Sequence, residues 1–327
     1  MKQELVNLKG EFRKAAEACK VSLVLLTALS VFGLSQVQAF AAVDKQSLTL
    51  VPNTPPVLFW PATSGKGQSV VLCLHELGMH AGIFDDLAGR LAQKGMDVYS
   101  LDLRGFGGWQ KIPGKDSRMD IVRSLKDVKD HLLALKERYK DKPGTKIFLL
   151  GEAMGGAIAL EAQSLFPELI DGTISSNPGG EHFKTLRNYT KVGGHFIAHA
   201  NKDFGMAKSL IQEATPRVEV RQFIENDPGV RLDLTARELM SCQFYMYKTR
   251  RFARAIKEDP VLIVQGLRDG ESKPLGAERV YKSLATKDKK FIEVADGDHY
   301  VYEDKQVNDK VFADTVSWLA EHGDSTM

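Results

Sequence analysis

Two hydrophobic periods alternate along the chain. Ser69–Leu74, Asp97–Leu103, Ile147–Leu150, Leu169–Ser175, Pro260–Gly266 and Lys290–Val294 are short apolar runs closed by polar or glycine-containing turns. Runs of that length without polar alternation fit strands covered on both faces of a parallel sheet. Between them the period lengthens. Phe84, Leu87 and Leu91 share a face within 83–94, and Ile121, Leu125, Val128, Leu132 and Leu135 share one within 118–138. Further helices are expected up to Phe166, stopped by Pro167, and near 277–284 and 307–321. Two short strands, Ser47–Val51 and Val57–Trp60, precede this series across a proline-rich turn. Strand–helix alternation predicts an α/β fold with a mostly parallel central sheet and helices on both faces.

The alternation stops for about 80 residues, from Glu181 to Glu258, where the patterning is helical in pieces and no strand is evident. It resumes in the same style afterwards. An insertion between two sheet strands reads as a helical cap over the carboxyl edge of the sheet. The expected division is a core of residues 45–178 and 259–327, a cap of 179–258, and an N-terminal segment of 1–44.

That N-terminal segment has its own pattern. Lys2, Lys9, Arg13, Lys14 and Lys20 precede the apolar run Val21–Leu34, and Val37, Gln38 and Ala39 supply a small-residue cleavage site. Basic, apolar and small in that order predict a secretory signal and a secreted or periplasmic protein. A spanning helix needs about 20 apolar residues. Extending the run to Val43 just reaches that length, so an uncleaved N-terminal membrane anchor is the alternative.

Composition narrows the partners. The chain has 327 residues, 43% hydrophobic and 26% charged, with a net charge of +2. That balance gives no basic surface for nucleic acid. Cys19, Cys73 and Cys242 do not make a disulfide framework.

The stretch with the strongest local signature is Ile147 to Leu160. An apolar strand meets Gly151-Glu152-Ala153-Met154-Gly155-Gly156, and a small-residue helix follows. This is the form of a nucleophile elbow, in which a strained strand-to-helix turn presents one side chain at the carboxyl edge of the sheet. The presented residue is Ala153, whose methyl group cannot attack a carbonyl. Acyl transfer also needs a histidine base and an acid that orients it. Asp269 follows the strand ending at Gly266, and His299 follows the strand ending at Val294, so both stand at strand ends in the order nucleophile, acid, histidine.

With these motifs the chain resembles the α/β-hydrolase superfamily, in its monoacylglycerol lipase, lysophospholipase and serine aminopeptidase branch. The resemblance spans about 47–322. It rests on His75-Glu76-Leu77-Gly78-Met79-His80, Leu101-Asp102-Leu103-Arg104-Gly105-Phe106-Gly107, the elbow, Gly266-Leu267-Arg268-Asp269 and Gly297-Asp298-His299. It implies that Asp269 is the triad acid, that His299 is the triad base, and that the backbone N–H groups of Leu77 and Met154 form the oxyanion hole. Two positions depart from the family. Ala153 stands where it has serine, and Glu76 where it has a glycine that lets the loop pass close to the acyl group.

The resemblance implies a carboxylic-ester or acyl hydrolase of lipase or lysophospholipase type that is inactive, or nearly so, with Ala153. The alternative is a non-catalytic ligand-binding or scaffold protein. Water activation by Asp269 and His299 alone is a weaker third reading. The expected ligand is a small acyl or lipid-like molecule, and no metal or organic cofactor is implied. Phe244, Tyr245, Tyr247, Phe252, Met240 and Met246 either line an apolar acyl pocket or form the cap's own core. Lys248, Arg250, Arg251 and Arg254 read as a solvated face.

Other polar residues have plainer readings. Ser175 and Ser176 serve strand-end backbone groups, and Glu152 points away from the presented position. His75 and His80 support their loop. His195 and His199 lie four apart but lack the Glu and third ligand of a zinc motif.

Overall fold

The computed structural model describes residues 43–64, 69–112, 117–181, 194, 200–202, 207–303, 305 and 307–323. The leader expected over 1–44, except its last two residues, and the pair His195 and His199 lie outside the described residues.

Eight strands form one sheet: β1 (Gln46–Leu48), β2 (Val57–Trp60), β3 (Ser69–Leu74), β4 (Met96–Leu101), β5 (Lys146–Glu152), β6 (Gly172–Ser176), β7 (Val261–Gly266) and β8 (Lys289–Val294). Their spatial order is β1-β2-β4-β3-β5-β6-β7-β8. The pairs β1–β2 and β2–β4 are antiparallel, and every pairing from β4 to β8 is parallel. β3, β4 and β7 are buried along their whole length, as strands covered on both faces are. β8 lies at the sheet edge and exposes Lys290 and Glu293, charges that block edge-to-edge pairing.

The helices of the core are α1 (Asp85–Gln93), α2 (Ile121–Arg138), α3 (Met154–Leu165), α8 (Pro274–Ser283) and α9 (Asp309–Gly323). Strand alternation sorts them onto two faces. Val70, Leu72 and Leu74 of β3 share one apolar cluster with Val128 and Leu132 of α2, Ile158 of α3 and Val280 of α8. Val71 and Cys73 of the same strand join a second cluster with Leu87 and Leu91 of α1 and Trp318 and Leu319 of α9. At about 1.5–3 kcal/mol for each large apolar side chain fully buried, these two clusters are the main attractive contribution to folding.

Several boundaries differ from the sequence expectation for identifiable reasons. β4 stops at Leu101 rather than Leu103, because the Leu103 N–H turns away to donate to His75 Nε2 at 3.0 Å. α2 begins at Ile121, where the Asp120 carboxylate accepts the Arg123 N–H as an N-cap. Residues Pro167–Leu169 form a 3-10 turn instead of the start of β6, since proline at the first position favours a helical turn.

Between β6 and β7 the described residues form four helices: α4 (Ala207–Ala214), α5 (Val218–Asn226), α6 (Ala236–Met246) and α7 (Thr249–Ala255). A capping box opens α6, with Thr235 and Glu238 each bonding the other's backbone N–H. The aromatic residues of this stretch divide. Tyr245, Met246 and Phe252 are buried in the first apolar cluster, while Phe244 is 55% and Tyr247 44% exposed.

The chain leaves β3 toward β4 and then returns to β5 on the other side of β3. The carboxyl ends of β3 and β5 therefore flank the topological switch point, the place where open α/β sheets bind ligands. Glu76 follows β3 there, and Ala153 follows β5.

Candidate active site

Ala153 sits at φ 43° and ψ −108°, between the last residue of β5 and the first of α3. A non-glycine residue there costs about 1–3 kcal/mol and persists only when its surroundings enforce it. The enforcement is visible on both sides. The Ala153 N–H donates to the Ser176 carbonyl at 2.9 Å, and its carbonyl accepts the Ala157 N–H at 2.9 Å. Gly155 lets the helix start press onto β3, since a Cβ on it would lie 2.0 Å from the Leu74 carbonyl oxygen. The same atom would lie 2.7 Å from the His75 carbonyl oxygen, so the Met154 end of α3 abuts the loop that carries Leu77.

Asp269 and His299 meet. His299 Nδ1 lies 2.8 Å from Asp269 Oδ2, and both residues are buried. The other carboxylate oxygen of Asp269 accepts the N–H groups of Glu271 and Ser272 at 2.8 Å each, which fixes the acid as a hydrogen-bond acceptor. His299 is held through its backbone as well. Its N–H donates to the Ala214 carbonyl at 3.1 Å, and its carbonyl accepts from Asn177 Nδ2 at 2.7 Å. Asn177, at φ 45°, also accepts the Gly266 N–H at 3.0 Å and so ties the end of β7 to the histidine loop. Next to the histidine, Asp298 takes two hydrogen bonds at 2.8 Å from the Arg217 guanidinium and a further one from Thr215.

The second ring nitrogen of His299 does not face a hydroxyl. His299 Nε2 is 3.3 Å from Glu76 Oε1 and 3.9 Å from Glu271 Oε2. The contact with Glu76 Oε1 is an ion pair and not a hydrogen bond, since Nε2 has no hydrogen-bond partner; the other oxygen, Glu76 Oε2, is likewise buried without one. Burial alone would lower the histidine pKa, but Asp269, Glu76 and Glu271 together hold it well above the ordinary value.

A chain of carboxylates supports this arrangement. Glu152 points away from the presented position, and its carboxylate accepts the N–H groups of Val301, Tyr302 and Glu303 at 2.8, 2.9 and 2.7 Å. It also accepts the Ser176 hydroxyl at 2.9 Å. Burial pushes Glu152 up to about 7, against the lowering effect of those three N–H groups. Glu303 in turn accepts the Glu76 N–H at 2.7 Å. Burial, with Glu152 and Glu76 alongside, holds the Glu303 carboxyl well above the usual range. Ser175, by contrast, packs against Gly156, and its buried hydroxyl has no hydrogen-bond partner among the described residues, so the strand-end role expected for it is not seen.

The histidines of the loop after β3 are structural. His75 Nε2 accepts the Leu103 N–H, so its Nδ1–H donates to the Glu76 carbonyl at 2.7 Å. Burial lowers His75 to about 4 and keeps it neutral. His80 accepts the Gly82 N–H and pairs with Asp227 at 3.1 Å. The Asp102-Leu103-Arg104 motif braces the same loop. Asp102 accepts the Ala81 and Gly108 N–H groups at 2.7 and 2.8 Å, and Arg104 grips Asp127 with two bonds.

Glu76 and Glu271 border a cavity of about 40 Å³, with Leu77, Leu210, Val230 and Arg231 among its walls. A water needs about 10–15 Å³ by this measure, so the space holds a few waters or a hydrated ion. Sequence reasoning placed Glu76 only as a replaced glycine and did not single out Glu271, Glu303, Asn177 or Arg217. Glu271 had a local signal, two residues beyond the candidate acid in the same strand-end loop. The other three act across large sequence separations that no local pattern reveals.

A mostly parallel sheet with a strained strand–turn–helix at its switch point, and an Asp–His pair at the ends of β7 and β8, is the α/β-hydrolase architecture. A family model described as serine aminopeptidase, S33, matches residues 65–306, and the chain belongs to that family. It is 24% identical to the monoglyceride lipase of Saccharomyces cerevisiae over 298 residues, 81% of this chain and 89% of that protein. The monoglyceride lipase of Homo sapiens is 30% identical over 120 residues, which cover 37% of this chain and 38% of the relative. Among solved structures, a soluble variant of the Saccharomyces cerevisiae enzyme in complex with a substrate analog superposes with a TM-score of 0.73 at 22% identity, over 87% of this chain and 96% of the other. The monoacylglycerol lipase of Paleococcus ferrophilus gives 0.66 at 24% identity, over 81% and 98%. These likenesses establish the shared fold.

Proposed function

We propose that this protein holds a small acyl or lipid-like ligand at the carboxyl edge of its sheet and does not hydrolyse esters through a serine. The observation that carries the reading is Ala153 at the summit of the strained turn, a methyl group where the family has its nucleophile. Removing the serine of a serine hydrolase costs about six orders of magnitude in kcat. Glu76 adds a second obstacle, because its carboxylate stands beside the histidine nitrogen that would accept the serine proton. The Asp269–His299 pair is then retained for its place in the structure. The lipid-like ligand class is supported by the relatives, which are monoglyceride lipases. In this reading residues 179–258 form the cap. The order of basic, apolar and small residues in 1–44 supports export, with the leader either removed or kept as an anchor.

The test is direct. The metal-free protein is incubated with an active-site fluorophosphonate and with short- and long-chain p-nitrophenyl esters, and its melting temperature is followed against added monoacylglycerol. The expected result is no covalent labelling, turnover at background, and saturable thermal stabilisation. Labelling of the unaltered chain, or ester turnover above background in chelator, overturns the reading.

A further inference from the structure

We propose that Glu76, Glu271 and His299 form a binding site for a single divalent transition-metal ion of the zinc type. The three residues follow β3, β7 and β8, and one ligand atom from each lies within 4.8 Å of the others. What points to a ligand, beyond the clustering of acids, is the state of two buried atoms. His299 is 1% exposed and Glu76 7%, yet His299 Nε2 and Glu76 Oε2 have no hydrogen-bond partner. Buried polar atoms are ordinarily hydrogen-bonded, whereas this imidazole nitrogen makes only charge contacts, at 3.3 and 3.9 Å, with two carboxylates, as a metal-ligating nitrogen would be placed.

The chemistry of the donors fits. An imidazole and two carboxylates suit Zn²⁺ and its first-row neighbours, and three protein ligands leave an open position for water. Asp269 completes the pattern. It accepts from Nδ1 of His299 at 2.8 Å, leaving Nε2 as the coordinating nitrogen. A carboxylate behind a metal-bound histidine is the usual second partner that fixes ring orientation and tautomer. The distances are close to what is needed. Ligands about 2.0–2.2 Å from a tetrahedral ion lie about 3.3–3.6 Å from each other. The histidine–Glu76 separation of 3.3 Å already has that value. The Glu271 carboxylate, 3.9 Å from Nε2 and within 4.8 Å of the Glu76 ligand atom, has to move in toward both to reach that spacing. Its side chain is 20% exposed, which gives the ion a path from solvent. The adjoining cavity of about 40 Å³ accommodates the remaining water ligands. The ion would also place a positive charge among Glu76, Glu271 and Asp269, and join three strand ends that the sequence keeps far apart.

The experiment is titration of tag-free, chelator-treated protein with Zn²⁺ by calorimetry and with Co²⁺ by visible absorption. The expected result is one equivalent bound, d–d bands of a low-coordinate Co²⁺ site, and a raised melting temperature. Glu271→Gln should weaken binding at least tenfold, His299→Ala should abolish it, and Asp269→Asn should weaken it about 10- to 100-fold. His322→Ala, at a histidine outside the cluster that packs on Trp318 and pairs with Asp288, should leave it unchanged. If His299→Ala does not fold in chelator, Glu271→Gln at its partly exposed position decides the matter. Absence of stoichiometric binding overturns the proposal, and so does binding that survives Glu271→Gln unchanged. Ester turnover by the metal-free protein would sink the functional reading above and leave this titration intact.

Discussion

His299 Nε2 lies 3.3 Å from Glu76 Oε1, so a carboxylate stands beside the nitrogen that a serine hydroxyl would need to reach. Two positions therefore separate this chain from serine chemistry, and they occupy neighbouring strand ends at the switch point. Ala153→Ser alone should leave p-nitrophenyl ester hydrolysis at background. Ala153→Ser combined with Glu76→Gly should give turnover and fluorophosphonate labelling. Equal activity of the single and double variants would show that Glu76 is no obstacle.

Glu152 is the fastener between the strained turn and the histidine loop. Its carboxylate collects three consecutive backbone N–H groups and one hydroxyl, all buried. Glu152→Ala strands these donors, and the expected loss is at least about 3 kcal/mol of unfolding free energy by denaturant titration. Hydrogen exchange should accelerate most at the amides of residues 301–303.

Gly155 tests the packing of α3 on β3. A methyl group there would meet the Leu74 carbonyl oxygen at 2.0 Å, a backbone atom that cannot step aside. Gly155→Ala should cost more than about 3 kcal/mol or abolish folding. Gly89→Ala, where nothing lies within 4 Å of the added atom, is the matched control. Helix propensity favours alanine there by about 1 kcal/mol, so that variant should be slightly stabilised.

A pH dependence is expected from His131. It is buried on α2, its Nδ1 donates to the Asp127 carbonyl, and its Nε2 has no hydrogen-bond partner among the described residues. Burial lowers its pKa below 6.5 in the folded protein. The unfolded chain therefore binds the proton more readily, and the sign follows from linkage. The contribution is fully present above pH 6.5 and is lost as pH falls below it toward the depressed folded value. Unfolding free energies of the wild type and His131→Leu, compared between pH 8 and about pH 5, should diverge against the wild type at the acid end. Parallel curves would refute a neutral buried His131.

Much of the architecture was legible in the chain because it depends on local period and turn chemistry. Val70–Leu74 and Val261–Gly266 read as doubly covered strands and are buried throughout. The glycines around Ala153 mark the strained turn by residue type and spacing alone. Leu169 and Leu103 read as strand residues in the sequence, because apolar side chains occur in strands and in turns alike. Pro167 and the His75–Leu103 hydrogen bond settled those ends otherwise.

Residue type and spacing fix the succession of strands and helices, the alanine in the turn and the acid–histidine order. The surroundings of His299 come from the folding of distant loops onto one sheet edge. Glu76 comes from the loop after β3, and Asp269 and Glu271 share the loop after β7, so the groups that enclose the histidine lie 28 to 223 residues from it in the chain. Parallel crossovers bring such loops to one sheet edge regardless of sequence distance, and burial there, which no local pattern encodes, gives each carboxylate its effect on the ring.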